Sequence, residues 1–485
     1  MSQLQSQITI VGLGPGAPEQ ITREAWDVLC ESEEIWLRTA HHPVVSHLPQ
    51  TLTLHAFDAL YEEAETFSEV YESIVRRVLD LGRREEGVVY AVPGHPFVGE
   101  ATVSKIVAEA KQQGISLRVV GGLSFVEPVM AALEVDALNG LQIADALEVM
   151  VQHHPPFNPD LPALVGQVYN RRVASGLKLT LMNQYPDEHE VVLVDAGGTA
   201  AQAVIRVPLY ESDRQILGPL TSLYVPALSR VSSFEGFQET IARLRAPDGC
   251  PWDRKQTHQS LRTNLLEEAY EVLETLDEGD VEGLYEELGD LLLQIVLHTQ
   301  IATEEGEFQM PDVIAAVDAK IKRRHPHVWG KVSVSDAEEV STNWEAIKRG
   351  ERETRGEGEK SLLDGVPSTL PALAQAYAYL SRAARVGFAP GDVEHTLRSI
   401  RLNLAEFKEA DNGKDDAGWL GALLFDIVRL AHLLDIEPES ALRASNARFA
   451  RHFRRFEIAL KKEETSPENL TPLARARLWK DTEGE

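Results

Sequence analysis

The sequence contains few cysteines, few basic residues and no long apolar run, and each shortage excludes a class of protein. Two cysteines in 485 residues, Cys30 and Cys250, provide neither a disulfide framework nor a CxxC metal site. No apolar run approaches the roughly 20 residues that span a bilayer. The first residues also lack the basic and then apolar pattern of a signal peptide. We therefore expect a cytoplasmic protein that does not associate with membranes.

Basic residues are heavily outnumbered, with 47 lysines and arginines against 76 acidic residues and a formal net charge of -29. Nucleic-acid binding depends on a basic surface that neutralises phosphates, so nucleic acid is not an expected partner. Small polyphosphates remain compatible, because a local basic cluster or a carboxylate-bound cation can hold them. The length of the chain predicts two or three domains.

Strand patterns alternate with helical patterns over the first 225 residues. The predicted strands are ITIVGLG (8–14), GVVYAVPG (87–94), SLRVVGG (116–122), LKLTLMN (177–183) and HEVVLVDAG (189–197). Amphipathic stretches at 67–81 and 101–113 lie between them. The alternation predicts an α/β domain.

From residue 234 onward helical periods replace the strand pattern. Ser260 is predicted to cap one helix and Asp280 the next, and the apolar faces of both helices are expected to point inward. The charged stretch 351–360 is predicted to be a flexible linker. Helical periodicity then resumes near Leu370, and the polar tail after Glu463 is predicted to be frayed.

Two pairs of acidic residues occupy the first two of these helices. Glu268 and Glu271 are three residues apart, as are Glu287 and Asp290, so each pair shares a helix face. If the helices pack together, each like-charge contact at about 4 Å costs on the order of 4 kcal/mol at an effective dielectric of 20. A cation offsets that cost, and oxygen ligands favour Mg²⁺. The alternative is that the four acids form a solvated helix face without a metal. The position of Asp290 within the apolar run LGDLLLQIVL makes this alternative less favoured.

The motifs around these acids resemble those of the MazG family of nucleoside triphosphate pyrophosphohydrolases, over residues 234–348. They are GCPWDRKQTHQSLRTNLLEEAYEVLETL, YEELGDLLLQIVLHTQIA, AKIKRRHPHVWG and NWEAIK, in that order. The resemblance implies an all-α helical bundle, usually a homodimer, that hydrolyses nucleoside triphosphates to the monophosphate and pyrophosphate with Mg²⁺. It also implies a role in clearing unwanted nucleotides from the pool.

Residue roles follow from this resemblance. Metal binding and catalysis fall on Glu268, Glu271, Glu287 and Asp290. Nucleotide contacts fall on Lys320, Lys322, Arg323, Arg324, Trp344 and Lys348, and either Trp252 or Trp344 is a candidate for stacking on the base. Two alternatives stay open, namely that Trp252 anchors a turn and that the basic run is a solvated helix end. The general base is one of Glu267, Glu268 and Glu286.

Residues 361–463 resemble the second repeat of two-repeat MazG proteins, beginning with SLLDGVPSTLPALAQAYAYLSRAARVGF. The alignment places Asn403, Glu406, Trp419 and Ala422 at the four acid positions. One carboxylate anchors Mg²⁺ poorly, so this degenerate repeat is expected to be inactive. Its basic block persists as Asn446, Arg448 and Arg451, and the repeat either binds a nucleotide or, as we favour, completes the bundle.

The motif GLGPG (12–16) follows an apolar strand, but its spacing is not GxGxxG and no acidic residue ends a second strand, so NAD binding is not expected. The blocks ITIVGLGPGAPEQIT, IWLRTAHHPVV, VVYAVPGHPFVGEAT and VVGGLSFVEPVMAAL resemble the tetrapyrrole methylase family, over residues 1–226. The resemblance implies two α/β lobes with S-adenosylmethionine in the cleft between them.

The methylase resemblance places the cofactor contacts on Pro15, His95, Val98, Ser124, Phe125 and Met182. His95 departs from the family pattern, because many members have aspartate in this loop. The departure argues against a tetrapyrrole acceptor and leaves a small-molecule acceptor unspecified. Our leading hypothesis is a pyrophosphohydrolase joined to a methyltransferase-like domain. The alternatives are a methyltransferase whose helical half is regulatory and a nucleotide sensor without turnover.

Overall fold

The structure is a computed structural model that describes residues 7–63, 66–354, 361–388, 391–409 and 416–482. The chain divides into two compact units, Met1–Leu244 and Arg245–Glu485. No single helix among the described residues is long and apolar enough to cross a membrane, although one pair of helices bent by 106° passes the same test when taken together.

A parallel five-stranded sheet forms the first lobe of the N-terminal unit, with strand order β3-β2-β4-β1-β5. Its strands are β1 (Ile8–Gly12), β2 (Glu34–Leu37), β3 (Thr53–Ala56), β4 (Val88–Val92) and β5 (Leu117–Val120). Strand β1, which lies between β4 and β5, is almost entirely buried. This burial agrees with its apolar sequence, because helices cover both faces of a parallel sheet.

A mixed five-stranded sheet forms the second lobe, with strand order β6-β7-β10-β8-β9. Its strands are β6 (Gln142–Asp145), β7 (Ala163–Gly166), β8 (Glu190–Asp195), β9 (Ala203–Pro208) and β10 (Ser222–Val225). Only β6 and β7 pair in parallel, and the other pairings are antiparallel. The predicted two-lobed α/β architecture is therefore confirmed.

Eight helices accompany these sheets in the described part of the unit. They are α1 (Arg23–Glu31), α2 (Asp58–Glu63), α3 (Phe67–Leu81), α4 (Ala101–Gln112), α5 (Val126–Leu133), α6 (Ala146–Val149), α7 (Arg171–Leu181) and α8 (Phe234–Arg245). Short 3-10 helices lie at Pro18–Gln20, Pro43–His47, Ala137–Asn139 and Leu209–Arg214. Helices α3 and α4 match the two amphipathic stretches seen in the sequence.

The strand predicted at 177–183 is wrong, because residues 177–181 belong to helix α7 and the next two form a turn. Asn170 caps this helix by accepting a hydrogen bond from the backbone of Val173 at 3.0 Å. Val173, Leu177 and Leu181 then face the core at helical spacing. The alternation within LKLTL is therefore a short coincidence inside a longer helical period.

The C-terminal unit contains helices, as predicted, and no strand among its described residues. Its helices are α9 (Arg262–Glu278), α10 (Val281–Glu305), α11 (Met310–Arg324), α12 (Pro326–Trp329), α13 (Ala337–Thr354), α14 (Ala372–Ala384), α15 (Val393–Glu409), α16 (Asp416–Leu433), α17 (Pro438–Lys462) and α18 (Pro472–Asp481). Short 3-10 helices lie at Asp253–Lys255 and Pro467–Asn469. Helix α9 packs on α10, and α16 packs on both α14 and α15.

The predicted helix boundaries are partly right. Asp280 caps α10 by accepting hydrogen bonds from two backbone amides. Ser260 does not cap α9, because the helix begins after Leu261 and the Ser260 hydroxyl accepts from the Thr257 amide instead. The predicted linker is wrong at 351–354, which belong to α13, and its remainder lies outside the described residues. The predicted frayed tail is wrong for Pro472–Asp481, which form α18.

The expectation of inward apolar faces on α9 and α10 is wrong for many of their residues. Leu288 is 50% exposed, and Leu266, Leu273, Leu276, Val281, Leu292 and Ile295 are exposed as well. By contrast, Val296 and Leu297 are buried. The single chain thus leaves a large apolar surface on this helix pair uncovered.

Candidate functional site

A tight turn between α9 and α10 brings the two acidic pairs together. Gly279 ends α9 in the left-handed conformation, at a φ of 69°, and Asp280 then caps α10. The chain reverses within two residues, so the two helices lie side by side. Residues spaced by three on each helix then face the same place.

The carboxylates of the acidic cluster, which we define as Glu268, Glu271, Glu287 and Asp290, converge as the sequence predicts. Ligand oxygens of Glu268, Glu287 and Asp290 all lie within 4.8 Å of one another. Glu271 lies close enough for its charge to contribute to the raised pKa of both Glu268 and Glu287. The structure therefore places all four predicted acids in one cluster.

The electrostatics of the acidic cluster suit a cation. Desolvation raises the pKa of Glu268, and the charges of Asp290 and Glu271 raise it further. The pKa of Glu287 rises for the same reasons. The charges that shift the pKa of both groups most are negative, so the repulsion between the carboxylates is uncompensated among the described residues. An all-carboxylate donor set fits Mg²⁺, which prefers hard oxygen ligands.

The predicted nucleotide-binding residues form a second group, on α11 and α13. Arg323 and Arg324 both pair with Glu351, at 2.6 and 2.7 Å, and these contacts lower the pKa of Glu351 to about 2. The Arg324 guanidinium also lies 5.4 Å from the ring centroid of Trp344. The two arginines and Trp344 therefore take part in packing α11 against α13.

Three of the other four predicted nucleotide contacts, Lys320, Lys322 and Trp252, are exposed, whereas Lys348 is half-buried. Lys322 pairs with Asp318 at 3.0 Å, and Lys348 lies 3.7 Å from Glu345. Lys320 is exposed, and Trp252 is 61% exposed beside Pro251. Such exposure fits a stacking residue better than a core anchor, although the backbone carbonyl of Trp252 also accepts hydrogen bonds within its turn.

The corresponding positions in the second repeat are occupied by an internal hydrogen-bond network. Asn403 donates to Asp426 at 2.9 Å, and Asp426 pairs with Arg429 at 3.1 Å. Trp419 donates to the Asn403 carbonyl oxygen. Ala422 offers no ligand atom, and the side chain of Glu406 lies outside the described residues. The described residues of this repeat thus bond to one another.

A cavity of about 620 Å³ lies in the N-terminal unit, and Pro15, Arg38 and Gly94 are among its lining residues. These residues follow β1, β2 and β4, at the carboxyl ends of the parallel strands. Open α/β sheets bind ligands at such ends, near the point where the strand order reverses. The chain leaves β1 towards β2, on one side of the sheet, and leaves β4 towards β5, on the opposite side. The strand order therefore reverses between the neighbouring strands β1 and β4.

Three loops meet beside the cavity with their backbones in contact. A Cβ atom on Gly12 would lie 2.6 Å from the carbonyl oxygen of Gly94 and 2.7 Å from the amide of Gly122. Gly94 also has a φ of +65°. A side chain at Gly12 would force the loops apart, and the left-handed backbone of Gly94 favours glycine, so both glycines are needed where the loops meet.

The predicted cofactor residues are only partly brought together. Pro15, Val98 and Phe125 line the cavity. Ser124 is buried next to them and donates to Glu127. His95 does not line the cavity, and its Nδ1 accepts from the Phe97 amide at 3.1 Å. Met182 lies away from the cavity, packed against the hydrophobic core of the second lobe at the end of α7.

Sequence reasoning missed the charged residues of the cavity. Arg38 and Glu100 form an ion pair at 3.2 Å, with side chains only 10% and 6% exposed. Asp145 also lines the cavity, and burial raises its pKa. Burial lowers the pKa of His42, another lining residue, to about 4. The sequence did contain one indication of the role of Arg38. This residue directly follows a strand, and ligands bind at the carboxyl ends of parallel strands.

Comparisons with known proteins identify a separate family in each half of the chain. A family model described as "MazG nucleotide pyrophosphohydrolase domain" matches residues 256–329, and one described as "Tetrapyrrole (Corrin/Porphyrin) Methylases" matches residues 7–213. The Bacillus subtilis "Uncharacterized protein YabN" is 39% identical over 99% of this chain and 98% of its own length.

Other relatives cover one half each. The Thermotoga maritima "Nucleoside triphosphate pyrophosphohydrolase/pyrophosphatase MazG" is 39% identical over 52% of this chain and 96% of its own. The crystal structure of uroporphyrin-III-C-methyltransferase from Thermus thermophilus aligns with a TM-score of 0.36 and 22% identity, over 45% of this chain and 91% of its own. The chain belongs to the MazG family of nucleotide pyrophosphohydrolases and carries an N-terminal domain of the tetrapyrrole methylase family.

Proposed function

We propose that the first repeat is a Mg²⁺-dependent nucleoside triphosphate pyrophosphohydrolase. The observation that carries this proposal is the convergence of the acidic cluster from two helices, with mutual repulsion that no basic neighbour offsets in the described part of the chain. The Thermotoga maritima and Escherichia coli relatives are named for this activity. Among the described residues, the second repeat has no matching set of acids at its corresponding positions, so catalysis rests on the first.

The chemistry needs a metal ion, an activated water and a neutralised leaving group. The acidic cluster would hold Mg²⁺, which supplies charge compensation to the triphosphate and acidifies a water ligand. One of Glu267, Glu268 and Glu286 takes the proton of the water that attacks the α-phosphorus. The bond from the α-phosphorus to the bridging oxygen breaks, and pyrophosphate leaves with that electron pair.

The basic residues of α11 and α13 supply the positive charge for the leaving group. Exposed Lys320 is best placed to meet a triphosphate directly, while Arg323 and Arg324 already share the Glu351 carboxylate. We propose that these residues, with Lys322 and Lys348, contact the phosphates, and that exposed Trp252 stacks on the base. Trp344 positions Arg324 through its ring.

Pyrophosphate release tests the proposal. The full chain is assayed with Mg²⁺ against ordinary, deaminated and oxidised nucleoside triphosphates, and the last two groups test the role in clearing the nucleotide pool. Asp290→Asn and Glu271→Gln should each lower the rate on the order of 100-fold, since each removes a metal ligand. Glu278→Gln, an exposed change at the end of α9, is the matched control. Parental rates in the first two variants would refute the metal assignment.

We also propose that the protein is a homodimer formed through α9 and α10. Contiguous exposed apolar surface of this kind marks an interaction site, and the two helices leave at least seven large apolar residues exposed. Light scattering coupled to size-exclusion chromatography measures the mass. A monomer at micromolar concentration would contradict the proposal, and Leu288→Glu should dissociate the dimer.

A second candidate function, methyl transfer, is favoured by the cavity. We propose that it binds S-adenosylmethionine, which supplies a methyl group on a sulfonium, through the walls formed by Pro15, Val98 and Phe125. The cavity volume and glycine-lined wall suit a nucleoside cofactor. Calorimetry with S-adenosylhomocysteine should show binding to the full chain and none to Val98→Trp, which fills the cavity. Absence of binding to the parent would refute this candidate.

The two assays also separate the remaining alternatives. Cofactor turnover without pyrophosphate release would indicate a methyltransferase with a regulatory helical half. Nucleotide binding without either reaction would indicate a sensor. We favour neither, because the acidic cluster has the ligand number and chemistry that a hydrolytic metal site requires.

A further inference from the structure

The charge of the cavity in the N-terminal unit points to the kind of molecule that it binds beside the cofactor. We infer that this second ligand is a small amine. Its protonated nitrogen lies against Asp145 and Glu148, and a hydrogen-bond acceptor on the same molecule meets Arg38. The inference rests on the proposed cofactor site and specifies the class of molecule that binds beside the cofactor.

The lining is acidic overall. Among the described residues that line the cavity, Arg38 is the only lysine or arginine, against the carboxylates of Glu100, Asp145 and Glu148. The Arg38 charge is already matched by Glu100 across 3.2 Å. His42 adds no positive charge near pH 7, because burial holds its pKa at about 4. A ligand ringed by carboxylates, such as a uroporphyrin, would meet repulsion here.

Of the three acidic residues that line the cavity, Asp145 and Glu148 have no cationic partner among the described residues. Asp145 accepts hydrogen bonds from the Leu147 amide at 2.8 Å and from Gln167 Nε2 at 2.9 Å. The nearby Glu148 charge and partial burial both raise the pKa of Asp145. A cation placed between the two carboxylates removes that repulsion, as an ammonium group would.

Arg38 supplies an independent sign that a ligand is missing from this cavity. The residue is 8% exposed, and its Nη1 has no hydrogen-bond partner among the described residues. The rings of Tyr61 and Tyr71 lie 5.0 and 4.8 Å from its guanidinium carbon, which fixes its position. A buried donor left unpaired is costly, so an acceptor atom on a ligand is the natural partner.

The ammonium group of the cofactor is an alternative source of the same positive charge. The two sources predict different behaviour when the acids are neutralised. If the acids hold the cofactor, S-adenosylhomocysteine binds more weakly to the Asp145→Asn, Glu148→Gln double variant. If they hold the second ligand, cofactor affinity stays unchanged and selectivity for amines is lost.

Calorimetry on the full chain tests the inference with two probes of matched size, tyramine and 3-(4-hydroxyphenyl)propionate. Both have a phenol, and they differ in ending with an amine or a carboxylate. With saturating S-adenosylhomocysteine, we expect tyramine to bind at least about tenfold more tightly. The double variant should lose that preference and keep its affinity for S-adenosylhomocysteine. Glu86→Gln, an exposed change in the same unit, should behave as the parent does.

Three results would overturn the inference. They are equal or tighter binding of the carboxylate, no binding of either probe at millimolar concentration, and weaker S-adenosylhomocysteine binding in the double variant. Failure of S-adenosylhomocysteine to bind the parent is a separate result, which refutes the cofactor proposal. The affinities of the two probes are therefore also compared in the absence of S-adenosylhomocysteine, so that the preference for the amine is tested independently of the cofactor proposal. Thermal unfolding confirms that each variant is folded.

Discussion

The indole Nε1 of Trp419 donates a hydrogen bond to the backbone carbonyl oxygen of Asn403 across 2.8 Å. By the motif alignment, these two residues are predicted to hold positions that are acidic in the first repeat, where the side chains repel one another. In the second repeat Asn403 instead donates to buried Asp426. By that alignment, the four positions carry a carboxylate cluster in the first repeat, whereas the described residues at these positions in the second form an internal hydrogen-bond network.

Removing the indole donor should affect stability and leave catalysis unchanged. Trp419→Phe keeps most of the apolar ring and loses the bond to Asn403, at an expected cost of about 1 kcal/mol in unfolding free energy. Urea unfolding measures that loss, and pyrophosphate release should match the parent. A large fall in rate in a folded variant would show that the second repeat takes part in the reaction.

Divalent metal should stabilise the protein through the acidic cluster. Because ligand binding to the native state raises stability by mass action, millimolar Mg²⁺ should raise the melting temperature, and a chelator should reverse the change. Glu268→Gln relieves part of the repulsion, so this variant should be more stable than the parent without metal and respond less to Mg²⁺.

Differential scanning calorimetry with and without Mg²⁺ checks this prediction, with Glu278→Gln as the control. An equal Mg²⁺ response in the parent and in Glu268→Gln would place the metal elsewhere. A lower melting temperature for Glu268→Gln without metal would show that its carboxylate makes favourable contacts, contrary to the raised pKa.

The acidic cluster was predictable because its cause is local. Residue type and a spacing of three place two carboxylates on each helix face, and Asp280 marks where the second helix begins. The wrong strand prediction at 177–183 also has a local cause. Apolar residues alternate over five positions there, and this short pattern predicts a strand although Asn170 marks the start of a helix. The two-lobed fold came from the order of motifs rather than from any single pattern.

The cavity was less predictable, because its charged residues come together through tertiary structure. Arg38 follows β2 and Glu100 follows β4, and these strands become neighbours although β3 lies between them in the chain. The local sequence does not predict which strands become neighbours in the sheet. Likewise, the exposed faces of α9 and α10 have the same periodicity as buried ones, so periodicity does not distinguish a core from an interface.

The contact between α11 and α13 should weaken in acid. Glu351 has a pKa of about 2 because Arg324 and Arg323 donate hydrogen bonds to it, against an ordinary value of 4.5. Its contribution to stability is therefore complete above about pH 4.5 and is lost as the pH falls towards 2. Glu351→Gln should be less stable than the parent at pH 6, and the difference should shrink by pH 3. Urea unfolding at both pH values measures it, and a constant difference would contradict the assignment.

Breaking the buried Arg38–Glu100 pair should cost far more than breaking an exposed one. Glu100→Gln leaves the Arg38 guanidinium charged and uncompensated, so a loss of about 3 kcal/mol in unfolding free energy is expected. Glu190→Gln, which breaks the exposed pair with Arg206, should cost less than about 1 kcal/mol.

The double change Arg38→Met, Glu100→Leu separates the cost of an unpaired charge from the value of the pair itself. Apolar replacement of both partners removes the buried charges together, so most of the stability lost in Glu100→Gln should return. The same protein should lose binding of tyramine, because the donor that meets its acceptor atom is gone. If the double variant is as unstable as Glu100→Gln, the loss comes from packing around the cavity rather than from the stranded guanidinium.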